Sequence, residues 1–162
     1  MVRSCFFVML CLCVSALALA QDAGDREKMV EAKATLEPAS ITAGGKGRLK
    51  IVLKMASDLH VNANVTADPN LIATSFTPAE VTGIVWDKPQ YPDPSKVTEW
   101  YSDEPLVVFQ DGAVIVVPFT VAKNTAAGDV SLAGTLRAQA CDHEQCYPPK
   151  RIPIRVLLKV TQ

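Results

Sequence analysis

From residue 30 onward the apolar positions recur at every second residue, and that period predicts strands rather than helices. Val30, Ala32, Ala34 and Leu36 alternate with Glu31, Lys33, Thr35 and Glu37, so the first strand has one wet face. After Gly44-Gly45-Lys46-Gly47, Leu49, Ile51, Leu53 and Met55 alternate with Arg48, Lys50, Val52 and Lys54 in the clearest strand of the chain. Leu59, Val61, Ala63 and Val65 form a third alternation, which sets His60, Asn62 and Asn64 together on the opposite face. Phe76 to Trp86 holds a weaker strand or two, broken by Pro78 and Gly83. Leu106–Gln110 and Ala113–Val121 flank Asp111-Gly112, a pair that predicts a tight hairpin because glycine supplies the positive φ. Pro118 lacks an N–H and predicts that its strand is bulged or lies on an edge.

The last hairpin is equally regular. Val130, Leu132, Gly134, Leu136 and Ala138 take even positions, and Ser131, Thr135, Arg137 and Gln139 take odd ones. Continued without a break, that parity puts Cys141 on the polar face, reachable from solvent. Ile152, Ile154, Val156, Leu158 and Val160 give the returning strand an apolar face, with Arg151, Arg155 and Lys159 outward. No amphipathic helix of useful length competes. About seven to nine short strands separated by turn signals predict an all-β domain, an immunoglobulin-like antiparallel β-sandwich.

The N-terminus follows another rule. Arg3 precedes an apolar run from Phe6 to Leu17, and Ala18-Leu19-Ala20 supplies the small-residue pattern of a cleavage site before Gln21. Residues 1–20 therefore read as a cleaved secretory signal, 21–28 as a charged flexible leader, and 29–162 as one domain. The apolar run is too short to span a bilayer, and no later segment is suited to insertion. Cys5, Cys11 and Cys13 leave with the signal. A formal net charge of −1, or −2 without Arg3, leaves no basic footprint for nucleic acid or an anionic membrane. Secretion puts the remaining cysteines where disulfides persist.

Those cysteines are Cys141 and Cys146, in Cys141-Asp142-His143-Glu144-Gln145-Cys146 with Tyr147-Pro148-Pro149 behind. If Asp142 to Gln145 form a hairpin loop, the two sulfurs face each other at bonding distance. Closing so short a ring stabilises by about 2 kcal/mol on the loop-entropy estimate, against about 4.7 for a hundred-residue loop. A structural staple usually spans more chain, so the spacing points to exchangeable sulfur. Tyr147 before Pro148 is held extended, so no helix N-terminus lowers a thiol pKa here. Asp142 and Glu144 disfavour a thiolate, whereas His143 favours one when protonated; together they predict a dithiol of moderate reactivity.

Two other uses of the pair are open. One is an inert disulfide in a secreted, non-enzymatic binding or chaperone-like module. The other is a metal site in which Cys141, His143 and Cys146, with His60, supply ligands. Three ligands within one small loop fit a tetrahedral site badly, and thiol–disulfide exchange needs no cofactor, so neither metal nor cofactor is expected. The chain carries no nucleotide-binding glycine loop, serine-hydrolase elbow or paired catalytic carboxylate.

Cys141…Cys146-Tyr147-Pro148-Pro149 after an alternating strand, the upstream Leu59-His60-Val61-Asn62, and Val85-Trp86 leading into a polar loop resemble the N-terminal periplasmic domain of the thiol:disulfide reductase DsbD, the disulfide bond corrector family. The likeness runs from about Val30 to Val160. It implies an immunoglobulin-like sandwich that takes electrons from a membrane-embedded thiol reductase and passes them to periplasmic thioredoxin-like proteins. It also implies that Cys146 forms the mixed disulfide and Cys141 resolves it. A cap loop within Asp87 to Tyr101 would shield the pair, with Tyr91 as the aromatic cap and Asp87 or Asp93 in place of the acidic cap residue. His60 and Asn62 stand where the family has aromatics facing the cysteines. His143 and Tyr147 complete the lining.

Overall fold

The computed structural model describes residues 29–66 and 68–162; the signal and leader, with Cys5, Cys11 and Cys13, lie outside the described residues. Twelve strands fill the described chain. The first sheet is built from β1 (Val30–Glu37), β3 (Lys46–Met55), β9 (Val114–Val121) and β6 (Ile84–Trp86), in that spatial order. The second runs β2 (Ser40–Thr42), β12 (Lys150–Thr161), β10 (Gly128–Ala138) and β5 (Ser75–Pro78). A third, smaller sheet runs β11 (Ala140–Cys141), β4 (His60–Asn62), β8 (Leu106–Phe109) and β7 (Ser95–Val97). All pairings are antiparallel except β2 with β12. The protein is an all-β, immunoglobulin-like sandwich, as its period of two requires.

Alternation does its work in the longest strands. In β3, Leu49, Ile51 and Leu53 are wholly buried while Arg48 stays outward; in β12, Ile152, Ile154, Leu158 and Val160 are buried and Arg151, Arg155 and Lys159 exposed. The inner faces of the first two sheets meet in two apolar clusters. One contains Leu49, Ile51, Phe76, Phe109, Ile115 and Leu136, the other Ile41, Phe119, Val121, Leu132 and Leu158. Burial of this kind, at roughly 25 cal/mol per Å² of apolar surface, supplies the main drive to fold.

Three sequence expectations need correction. First, β8 and β9 do not pair with each other. Gly112 does adopt φ 81°, and the amide of Ala113 bonds the carbonyl of Gln110, so the turn forms. Yet the carboxylate of Asp111 accepts the amide of Met55 and lies 3.5 Å from the Lys54 ammonium, docking the turn on the end of β3. β9 therefore pairs with β3 and β8 with β4, and the turn becomes a corner between sheets.

Second, Pro118 lies on an interior strand. Val116 exchanges backbone hydrogen bonds with Gln90 on the β6 side, and the Pro118 carbonyl accepts the amide of Asp87 on that same side. The imino nitrogen thus faces the short stretch at Lys88 and Pro89 where the partner leaves the ladder, and no hydrogen bond is lost.

Third, the parity of β10 does not reach the cysteines. Eleven pairs hold β10 to β12, from Gly128↔Val160 to Ala138↔Lys150. Beyond Ala138 the chain leaves that ladder and crosses to the third sheet, where Ala140 pairs with Val61 and Cys141 with His60. Gln139, Ala140 and Cys141 are buried in succession, and Cys141 is 0% exposed rather than solvent-facing. The shift in partner sheet overrides the alternation.

Candidate functional site

The site sits on the excursion between β10 and β12. Cys141 and Cys146 are bonded, with Cα atoms 4.0 Å apart, across the four-residue loop Asp142–Gln145. Asp142 holds that loop shut. Its backbone amide bonds the Gln145 carbonyl (3.0 Å), and its Oδ1 accepts the amides of Glu144 and Gln145 at 2.7 and 2.8 Å. Its Oδ2 accepts the hydroxyl of Tyr147. That phenol and then the two amides hold the Asp142 carboxyl below its ordinary pKa, while the same bond raises that of Tyr147. Tyr147 closes the excursion, its amide bonding the Ala140 carbonyl at 2.8 Å.

Beneath the loop lies a buried polar cluster. Gln139 accepts the Ile72 amide (2.7 Å) and the Asn62 side-chain amide (3.0 Å) on Oε1, and donates through Nε2 to the Tyr147 carbonyl (3.1 Å). Asn62, fully buried, also donates to the Ile72 carbonyl, and Thr74 donates to the Asn62 carbonyl at 2.6 Å. A buried polar group without such partners costs about 1–3 kcal/mol, so Gln139 ties the excursion to β4 in one way only. Two atoms stay unpartnered among the described residues: Asn62 Oδ1 and His60 Nε2. His60 is the direct cross-strand neighbour of Cys141, so both side chains project from one face. Burial lowers the His60 pKa, outweighing the opposing pull of Glu99, so the imidazole is neutral at pH 7.

Above the disulfide lies Tyr101. Its hydroxyl donates to the Asp142 carbonyl at 3.0 Å and sits 3.9 Å from the Cys146 sulfur. Burial, then the charges of Glu99 and Asp142, push its pKa up to about 12, so it remains a phenol. Glu99 is buried, and both its oxygens lie 3.2 Å from His143 Nδ1, on a ring that is itself 80% exposed. The turn Glu99–Ser102, closed by the Ser102 amide on the Glu99 carbonyl, is thus strapped to the cysteine loop twice. Next to it Trp100 is 80% exposed and stands edge-on to Tyr101.

The expected residues divide accordingly. His60, His143 and Tyr147 meet the disulfide loop directly, and Asn62 supports it through Gln139. Tyr91 does not cap it: its ring stacks on Phe109 at 6.2 Å, and its hydroxyl accepts the Phe76 amide in the core. Asp87 is exposed on the first sheet, its amide bonded to the Pro118 carbonyl. The segment from Asp87 to Tyr101 is a crossing that joins the first sheet at Gln90 and the third at β7, and only its last turn reaches the sulfurs. Tyr101 stands beside the Cys146 sulfur instead, while Glu99 reaches the loop through His143 and Gln139 through the Tyr147 carbonyl. Nothing local marks Glu99, and the alternation places Gln139 on the polar face; the small residues Ala138 and Ala140 on either side of it are the one local feature that fits its burial.

The two cysteines differ in exposure. Cys141 is fully buried, whereas Cys146 is half-buried beside Tyr101. Among the described residues no group of three or more His, Cys, Asp or Glu side chains is placed to hold a metal ion, and the two sulfurs are bonded to each other. Nor is any described helix long and apolar enough to cross a membrane.

Neither a protein-family model nor a curated relative matches the chain. Solved structures with a similar overall shape include the N-terminal periplasmic domain of ScsB from Proteus mirabilis, 14% identical with a TM-score of 0.47, over 80% of this chain and 45% of that one. The chain thus spans less than half of that structure. The reduced N-terminal domain of DsbD from Neisseria meningitidis is 15% identical, with a TM-score of 0.44 over 82% of this chain and 87% of that one. The yeast GGA1 GAE domain is 10% identical, with a TM-score of 0.41 over 80% and 91%.

Proposed function

We propose that this protein is a periplasmic thiol–disulfide exchange domain that relays electrons through Cys141 and Cys146. The observation that supports the reading is the unequal burial of the two bonded cysteines beside a buried imidazole. A donor thiolate attacks Cys146, the accessible end; the S–S bond breaks, Cys141 leaves as a thiolate, and a mixed disulfide to the donor remains. The donor's second thiol then displaces Cys146, so the domain gains two electrons and the donor is oxidised. In the forward half, the Cys146 thiolate attacks a client disulfide and Cys141 resolves the mixed bond, returning the electrons to the client.

His60 serves the buried partner. As Cys141 leaves, the neutral imidazole across the strand pair donates a hydrogen bond to its thiolate, and the proton that completes the thiol comes from solvent. When Cys141 later attacks, the same ring takes the proton. Glu99 and Asp142 oppose the Cys146 thiolate while His143, when charged, favours it, so the dithiol is a moderate reductant. The clients are thioredoxin-like proteins and the donor a membrane-embedded thiol reductase, acting on a mature form that begins at Gln21.

A Cys141→Ser variant exposed to thioredoxin-like proteins of a periplasmic extract accumulates mixed disulfides on Cys146, and Cys146→Ser forms none. Recovery of no covalent complex from the first variant overturns the relay. The complete burial of Cys141 favours a second reading, a binding module with an inert disulfide. That reading requires reduction only after unfolding.

A further inference from the structure

We propose that the outer face of β5, β10 and β12, away from the disulfide, binds a phosphate-bearing anion between Arg137 and Arg151. The two arginines are direct cross-strand partners, and Ser75 pairs with Arg137 from the other side. One step along the ladder, Thr135 lies between Thr77 and Pro153. All of these occupy odd positions, the face that even-numbered Phe76, Leu136 and Ile152 leave to solvent.

Two guanidinium groups opposite each other repel, and cross-strand like charges destabilise a sheet. Here no acid relieves them. Among the described residues neither arginine forms an ion pair, and no aspartate or glutamate lines the concavity they share. That concavity measures about 450 Å³ and is lined by Arg137, Arg151 and the hydroxyl-bearing Ser75, Thr77 and Thr135. Gly134 forms part of its wall, where any side chain would meet the Phe76 ring.

The donor set selects the ligand. Each guanidinium offers a planar fork of N–H groups matched to two oxygens of an oxoanion, and the hydroxyls add single donors between them. Two forks already fill the roughly four lone-pair sites of one carboxylate and leave none for the hydroxyls, whereas the three outer oxygens of a phosphate monoester accept both forks and the hydroxyls as well. The space beyond the phosphate accommodates the group that carries it, either a soluble ester or a lipid headgroup.

The test follows the arginine side-chain NMR signals of the full chain as inorganic phosphate, glycerol 3-phosphate, or vesicles containing phosphatidic acid, whose headgroup is a phosphomonoester, are added. Arg137 and Arg151 are expected to shift saturably while Arg155, on the same face, does not. Arg151→Gln weakens binding at least tenfold without lowering the melting temperature, because a like-charge contact is removed, and Arg155→Gln leaves binding unchanged. Response to the soluble probes supports a free ester, and response to vesicles alone supports a headgroup. No saturable response to any probe, or an equal loss in Arg155→Gln, overturns the site.

Discussion

The body of the β10–β12 hairpin and the excursion at its tip are built on opposite rules. Along the body, eleven pairs stay in register, and the alternating apolar positions supply the buried Leu132, Leu136, Ala138, Ile152, Ile154, Leu158 and Val160. At the tip, Gln139, Ala140 and Cys141 are buried one after another, as are His60, Val61 and Asn62 on the strand beside them. The body is stabilised by apolar area. The tip is organised by hydrogen bonds among groups that would be costly to bury alone, and two of its atoms lack a partner. Stability and chemistry are therefore separable in this molecule, on a single connected hairpin.

That separation is open to attack by substitution. Leu132→Ala empties a wholly buried site in the body and is expected to cost about 2–5 kcal/mol in chemical denaturation. The rate at which a dithiol reduces the native disulfide should not change. Asn62→Ala, at the tip, removes one donor to Gln139 and costs about 1–3 kcal/mol. Unlike the first, it should also accelerate native-state reduction, because Gln139 loses one of its anchors to β4. Equal effects of the two substitutions on reduction would mean that body and tip act as one.

Tyr101→Phe is milder. Loss of its bond to the Asp142 carbonyl costs roughly 1 kcal/mol, and a looser lid raises the reduction rate several-fold. An unchanged rate would show that Tyr101 packs beside the sulfur without shielding it. At alkaline pH the same residue has a signature. Its pKa is raised to about 12 in the folded protein, so the stability it lends is complete below pH 10 and fades as pH rises toward 12. Tyr101→Phe removes that decline.

The smallest effect belongs to His60. Its folded pKa lies below 6.5, so the unfolded chain binds the extra proton first on acidification. Stability contributed by the neutral ring is present above pH 6.5 and diminishes as pH falls from there to the folded value. His60→Gln should flatten that part of the stability profile, and Leu132→Ala should leave its shape intact. A slope unaltered by His60→Gln would place the acid sensitivity elsewhere.

What the sequence revealed follows the same division. The alternation in β1, β3, β10 and β12 made the sandwich readable, because a side-chain period of two has one meaning where one face is buried. The spacing of Cys141 and Cys146 likewise made a short bonded loop readable. The tip was not readable in the same way. Gln139 moves the chain from one sheet to another, and a change of sheet leaves no trace in periodicity, so Cys141 was expected outside and is inside. Tyr91 and Tyr101 sit in one proline-rich segment with equal local claims. Which of them covers the sulfur depends on Gln90 joining β9, a contact made far along the chain.

The central claim is that the disulfide reacts in the folded protein through Cys146 alone. Reduction by a thioredoxin-like dithiol, followed at increasing sub-denaturing urea and quenched for mass spectrometry of the mixed disulfide, tests it most directly. The rate is expected to be nearly independent of urea, with the intermediate attached at Cys146. A rate that climbs with urea as steeply as global unfolding, or an intermediate on Cys141, would contradict it.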